Sequence, residues 1–437
     1  MKRYLLFWLG MTMAVVLAVA AINVVVDPHG LFRVVDRPGF NSYKPKAASY
    51  SKAYQVLRVQ PRGLILGSSR SEVGFDPEHP AWPATARPVF NLGLPGTGTS
   101  VTLRYLRHVL ANDATGNPRK PELVVWGLDF MDYLVDPRLA GGPAQQRRED
   151  SRLLGSADGA DETRRWLQRA RDYTESTLTL GALLDSIQTV GNQTNPYVAD
   201  LSPLGFNPMR NYLKISADEG YWAVFRQKDI ANLRSALQRP KGVFDSGGRS
   251  SPALDDLREV MALCRQHGIA LHLVIYPYHA HLLEIIRIAG QWEAFEAWKR
   301  AVAQIVADSA TDGRPAVPLW DFSGFDPYSM EPIPDQGDRR TTMRWYWEAG
   351  HFKNELGGMV LDRVFGRTAP VPGFGVALDR TNLEQQIATV RAQEADYRQS
   401  HPGEVAALQR IALDLVSRQQ KNQKTIDGKP EPTLATP

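Results

Sequence analysis

The sequence predicts a three-layer α/β domain: a parallel sheet with helices on both faces. Two observations carry this expectation. Short apolar, partly β-branched runs of strand length recur along the chain, and helical patterns stand between or after them. The strand candidates are Gly63–Leu66, Pro88–Asn91, Leu123–Trp126, Ala270–Tyr276 and Ala316–Trp320. The helical patterns are Ser100–Ala111, Ala253–His267, Gln291–Ala307 and Asn354–Phe365. The last two strands enclose one helix, a plain strand–helix–strand unit that favours parallel pairing.

The chain has 437 residues, 43% hydrophobic and 22% charged, an ordinary folded composition that excludes collagen-like and wholly disordered classes. Its single cysteine, Cys264, can form no internal disulfide and lacks the neighbours of a structural zinc site. The fold therefore has to rest on its apolar core. A charge-free run from Tyr4 to Val26, preceded by Lys2 and Arg3, has the length and composition of a bilayer-spanning helix. The two basic residues predict that the short N-terminal end stays in the cytoplasm and the rest is exported, a single-pass inner-membrane protein with a periplasmic body. A cleaved signal peptide is the competing reading, with Ala18-Val19-Ala20 as a cleavage site, but the apolar run is longer than a usual signal core. Without Lys2 and Arg3 the formal charge of +4 falls to +2, which offers no footprint for nucleic acid.

The α/β rhythm fixes the expected domains. Residues 1–27 form the anchor, and 28–135 with 249–368 form the sheet domain. Residues 136–248 break the rhythm with charged runs, a helical stretch around Glu162–Thr189 and an Asn-rich segment, and read as an inserted cap. A Gly/Pro junction at Pro370–Gly375 leads into two polar helical patterns, Asn382–Gln399 and Pro402–Arg418, within 369–420. The Lys-, Pro- and Thr-rich stretch 421–437 is expected to be disordered.

Four of the strand candidates lead into polar or glycine-rich loops: Gly67-Ser68-Ser69-Arg70-Ser71, Asn91-Leu92-Gly93-Leu94-Pro95-Gly96-Thr97, Gly127-Leu128-Asp129, and Pro277-Tyr278-His279-Ala280-His281. In open α/β sheets ligands bind outside the carboxyl ends of the strands, so these loops point to one shared site. Farther on, Trp345-Tyr346-Trp347-Glu348-Ala349-Gly350-His351 places a carboxylate three residues before a histidine at the mouth of the last helix of the domain.

The block Ile65–Ser71 with Phe75–Pro80 resembles the first block of the SGNH/GDSL hydrolase and acyltransferase family, in particular its membrane-anchored teichoic-acid D-alanylation and alginate O-acetylation branches. Asn91–Thr97 is similar to the second block and Glu348–His351 to the last, which is usually Asp-Xaa-Xaa-His. The resemblance implies a flavodoxin-like sheet domain, Ser69 as nucleophile, His351 as general base, Glu348 as its orienting acid, and the backbone N–H groups of Ser69 and Gly96 as oxyanion donors. It implies no organic cofactor. The partners it implies are the inner membrane, an exported polysaccharide and a multipass membrane protein that supplies the acyl group. Two departures stand out: Glu replaces Asp in the last block, and Asp129 occupies a position where many relatives place an Asn donor.

Each residue also has a plainer reading. Ser68 or Ser69 can cap the helix after the first strand, and the Gly93/Gly96 loop can be a tight turn. Arg70, Asn91, Asp129, Tyr278, His279 and Trp347 are assigned to substrate binding, the tryptophan because an aromatic face suits a sugar ring; an aromatic cluster is also a common core element. His279 and His281 have no evident third ligand for a metal. The function expected is transfer or removal of an acyl group, acetyl foremost, on an exported polysaccharide. A non-catalytic scaffold or polysaccharide-binding component is the alternative, favoured by Asp129 and Glu348, and a plain esterase is a third.

Overall fold

The computed structural model describes residues 1–47, 49–111, 120–134, 151–154, 162–238, 242–244, 250–310, 315–367 and 374–427. The helices are α1 (Lys2–Val26), α2 (Ser51–Val59), α3 (Ser69–Gly74), α4 (Thr99–Ala111), α5 (Glu162–Thr177), α6 (Leu180–Gly191) and α7 (Arg210–Glu219). They continue as α8 (Tyr221–Gln238), α9 (Pro252–Gln266), α10 (Ala280–Ile288), α11 (Trp292–Asp308), α12 (Asn354–Val364), α13 (Leu383–Ser400) and α14 (Pro402–Asp427). The strands are β1 (Gly63–Gly67), β2 (Val89–Gly93), β3 (Leu123–Leu128), β4 (Ala270–Ile275), β5 (Leu319–Asp321), β6 (Tyr346–Glu348), β7 (His351–Phe352) and β8 (Val376–Leu378).

Six strands form one sheet in the order β2-β1-β3-β4-β5-β8, parallel except for β8, which pairs antiparallel with β5. This order is compatible with a flavodoxin-like layout. Every residue of β1, β2 and β3 is buried. Since neighbouring side chains in a strand point to opposite faces, both faces are covered, which explains the continuous apolar runs. Leu64, Ile65 and Leu66 are wholly inaccessible, and each contributes roughly 1.5–3 kcal/mol by burial. From β1 the chain crosses to β2 on one side and later to β3 on the other. The carboxyl ends of β1 and β3 therefore flank the point where the order reverses.

Helix starts follow local chemistry. Ser251 accepts the Ala253 N–H ahead of Pro252 at the first turn of α9, and Thr179 accepts the Ala182 N–H at the start of α6. The helical stretch expected around Glu162–Thr189 is two helices, because Leu178 and Thr179 break it where Thr179 caps the second. Three features differ from the sequence reading. β8 lies inside the segment expected to be helical. α10 occupies a stretch read as loop. Helix α14 runs to Asp427, into the stretch expected to be disordered; the remaining residues of that stretch lie outside the described residues. His351 sits on a small antiparallel hairpin, β6–β7, that leads directly into α12.

Among the described residues one helix, α1, is long and apolar enough to cross a membrane. Its last turns are tied to the inserted segment: Asn23 Nδ2 donates to the Thr177 carbonyl at 2.8 Å, and the Ser186 hydroxyl donates to Asn23 Oδ1 at 2.8 Å.

The C-terminal helices dock through a buried charge cluster. His281 on α10 lies 2.8 Å from Asp229 of α8 and 3.3 Å from Glu404 of α14, and the Tyr397 hydroxyl donates to Glu404 at 2.7 Å. Burial pushes the imidazole down, but the two carboxylates outweigh it and raise it from 6.5 to about 9. Because the folded value is the higher one, the cluster's stabilisation is complete below pH 6.5, declines as pH rises toward 9 and is absent above that. The expected loss is on the order of 1–3 kcal/mol. Hydrogen exchange across α14 measures it: amide protection, corrected for intrinsic rates, falls between pH 6.5 and 9 and does not do so in His281→Gln. Equal corrected protection at both ends of that window contradicts the account.

Candidate active site

Gly67 ends β1 with φ +134°, a conformation that side chains rarely adopt, and turns the chain sharply into α3. A Cβ there would collide with the Tyr276 and Ser71 hydroxyls. Ser68 is the cap of α3, its hydroxyl receiving the Arg70 N–H at a long 3.4 Å. That leaves Ser69, half-buried, free of the capping task, with its own N–H in the first turn where no intrahelical acceptor exists.

Ser69 Oγ lies 2.8 Å from His351 Nε2, although the two residues are 282 positions apart. The other ring nitrogen, Nδ1, is hydrogen-bonded to Glu348 Oε1. Glu348 Oε2 accepts the Gly350 N–H at 2.8 Å, so the β6–β7 turn fixes the carboxylate on both oxygens. Burial pushes Glu348 up, but His351, the Gly350 N–H and Lys228 outweigh it and hold the carboxyl down at about 2. The longer glutamate is thus accommodated by its own hairpin. A buried carboxylate on Nδ1 selects the tautomer that leaves Nε2 free to take the serine proton.

The close approach of these two chain segments depends on glycine. A Cβ on Gly357 of α12 would run into the Gly74 carbonyl at the end of α3, and a Cβ on Gly74 would run into the Phe352 ring of β7. Gly357→Ala is expected to cost about 1–3 kcal/mol through overpacking and to slow reaction at Ser69 by pushing β7 away from α3. Thermal unfolding and the rate of serine labelling, measured together, check this; unchanged labelling would separate the packing from the site.

Gly96 lies in the exposed loop after β2 with φ +69°, and a Cβ there would meet nothing within 4 Å. Its glycine is required by the backbone conformation, not by crowding. The same loop is tied to the elbow by the Leu94 N–H donating to the Gly67 carbonyl at 2.9 Å. No protein-family model matches this chain, and no curated protein matches it. The chemistry of the site rests on its own geometry.

Several residues expected to touch substrate are interior. Asn91 is wholly buried; its amide donates to the Ser71 and Phe75 carbonyls at 2.8 Å each and its oxygen accepts the Gly93 N–H. It braces the two loops. Tyr278 is buried, accepts the Phe130 N–H and donates to Asp129. His279 is buried, caps α10 by accepting the His281 N–H, and is pushed down to about 3 by burial. Trp347 packs with Val73, Met209 and Tyr212, with the Lys353 ammonium 4.3 Å from its ring centre. All four side chains are interior and held by partners within the protein.

Arg70 and Asp129 bind each other, both largely buried, rather than standing open to an anionic group and a hydroxyl. Asp129 also accepts the Met131 N–H and the Tyr278 hydroxyl. Asp129 at the end of β3 is therefore paired with the guanidinium of the residue next to Ser69, a partner of opposite sign.

Sequence reasoning missed Lys52, Glu72 and Lys228. Lys52 Nζ lies 2.9 Å from Glu72 on α3 and donates to the Gly93 carbonyl at 2.6 Å, entirely inaccessible to solvent. A lysine among apolar neighbours in the Ser51–Val59 pattern carries no signal of such a role. A cavity of about 400 Å³ lies elsewhere, lined by Trp222, Arg226, His281 and Glu404, and includes none of the Ser69, His351 and Glu348 side chains.

Proposed function

We propose that the chain is a membrane-anchored, serine-dependent O-acyltransferase or acyl esterase whose body lies on the periplasmic face and acts on an exported polysaccharide. The observation that carries the reading is the Ser69–His351–Glu348 chain of hydrogen bonds at the carboxyl end of β1. The polysaccharide and the external acyl donor rest on the block resemblance, and the periplasmic side rests on Lys2 and Arg3 preceding the apolar run of α1.

In this reading His351 Nε2 takes the Ser69 proton as Oγ attacks the acyl carbonyl. Glu348 stabilises the imidazolium, and the Ser69 and Gly96 N–H groups receive the oxyanion. Collapse expels the donor's leaving group, which takes the proton from His351, and leaves an acyl-serine. A sugar hydroxyl or water then gives its proton to His351 and attacks the acyl-serine; the bond to Ser69 Oγ breaks, Oγ takes the proton back from His351, and the acyl group leaves on the acceptor oxygen. Arg70 and Asp129 neutralise each other beside the oxyanion. That pairing weakens Asp129 as a mark of a non-catalytic scaffold.

The test is covalent labelling of the full chain by a serine-directed fluorophosphonate. One label per chain is expected, absent in Ser69→Ala. No labelling, or labelling that survives that substitution, defeats the reading. Acetyl transfer to an oligosaccharide against release to water then separates transferase from esterase.

A further inference from the structure

Helix α6 carries an apolar face that no described residue covers. Leu180, Leu184 and Ile187, one and two turns apart, are 72%, 60% and 60% exposed. On the opposite side Ala182, Ser186 and Thr189 are buried, and Ser186 bonds Asn23 of α1. The only charged residue of α6, Asp185, is matched by His29 at 3.1 Å and Lys46 at 3.6 Å. A solvent-facing helix carries charged residues outward; this one carries leucine and isoleucine.

The neighbouring α1 supplies the reason. At about 1.5 Å per residue its 25 residues exceed a hydrocarbon core of about 30 Å by only a few residues. Counted from the charged N-terminal end, Asn23 falls at or just inside the far boundary. An unsatisfied amide is costly at that depth, and Thr177 and Ser186 satisfy this one. The α5–α6 corner therefore sits at the depth where α1 leaves the lipid, and the outward face of α6 meets whatever surrounds α1 there.

We propose that the Leu180, Leu184 and Ile187 face of α6 is embedded in the outer boundary of the bilayer beside α1, as an interfacial helix that holds the catalytic body at a fixed height and tilt above the membrane. The proposal rests on α1 spanning the membrane. Burial of a leucine-rich face supplies the affinity and the paired Asp185 removes the main penalty.

Cysteine labelling tests it on the full chain in phosphatidylcholine/phosphatidylglycerol vesicles. The native Cys264 is buried, with its thiol pushed up to about 12 by burial, so it stays unlabelled. A nitrobenzoxadiazole label is placed at Leu184→Cys, at Ile187→Cys as a second site, at Val15→Cys within the anchor, and at the exposed Gln304→Cys on α11. Lipids carrying a nitroxide near the top of the acyl chain are expected to quench both α6 labels at least about twofold and to leave Gln304→Cys unaffected. Quenching at Val15→Cys but not on α6 overturns the proposal while leaving the anchor intact. Blue-shifted α6 emission without lipid quenching also overturns it, because protein then covers the face. Absence of quenching at Val15→Cys, near the bilayer midplane, by lipids carrying the nitroxide at the end of the acyl chain overturns the anchor and the proposal together.

Discussion

His351→Ala is expected to lower the rate of the proposed acyl-enzyme formation by at least about 10⁴-fold, and Glu348→Gln by about 10²–10⁴-fold, because the groups would act as one unit. The histidine is the only described base bonded to Ser69 Oγ. The glutamate fixes the Nδ1 proton, and an amide in its place can donate instead of accept and so favours the wrong tautomer. Single-turnover hydrolysis of an activated acetate ester measures both, since it isolates acylation from later steps. Rates within tenfold of the parent chain in His351→Ala would remove the triad mechanism. Glu348 also shapes the pH profile. Held at about 2, it stays ionised through the working range, so it contributes no acid limb to the rate above about pH 3.

Lys52→Ala destabilises the protein by about 3–5 kcal/mol, the cost of stranding one member of a buried ion pair. Glu72 remains in the interior with Asn207 Nδ2 at 3.2 Å as its side-chain hydrogen-bond partner, and the Gly93 carbonyl loses its ammonium donor. Denaturant unfolding in detergent reads the loss. The double replacement Lys52→Met with Glu72→Leu is expected to recover most of it, because two apolar side chains leave no buried charge. A single substitution costing under about 1 kcal/mol would mean that the pair is not what joins α2, α3 and the end of β2.

These two experiments probe different kinds of legibility. The strands and the blocks of the candidate site are readable because their signals are local: apolar runs such as Leu64–Leu66, a serine after a glycine elbow, a carboxylate three residues before a histidine. The Lys52–Glu72 and Arg70–Asp129 pairs are not, since partners 20 and 59 residues apart are matched only by the fold, and lysine or aspartate reads as surface until a neighbour is known. The same reason explains the substrate roles assigned to Asn91, Tyr278 and His279. Position after a strand end is visible in a sequence, whereas the direction of a side chain is not. Helix α10 is hidden by Pro277 and two histidines, one of which turns out to cap it. Strand β8 is hidden by its three-residue length, its pairing being decided by the free edge of β5.

Strand β8 also governs how the chain tolerates shortening. A sheet ends in unpaired amides and carbonyls that invite another chain to add on. At one side the Asn91 N–H is taken by the Leu204 carbonyl of the inserted segment at 2.7 Å. At the other side β8 runs against β5 and takes up its outer row. A product truncated after Arg367 would keep Ser69, Glu348 and His351 yet expose the outer row of β5 together with the apolar surfaces that α13 and α14 cover. The three residues Val376–Leu378 thus close one sheet edge without touching the candidate site.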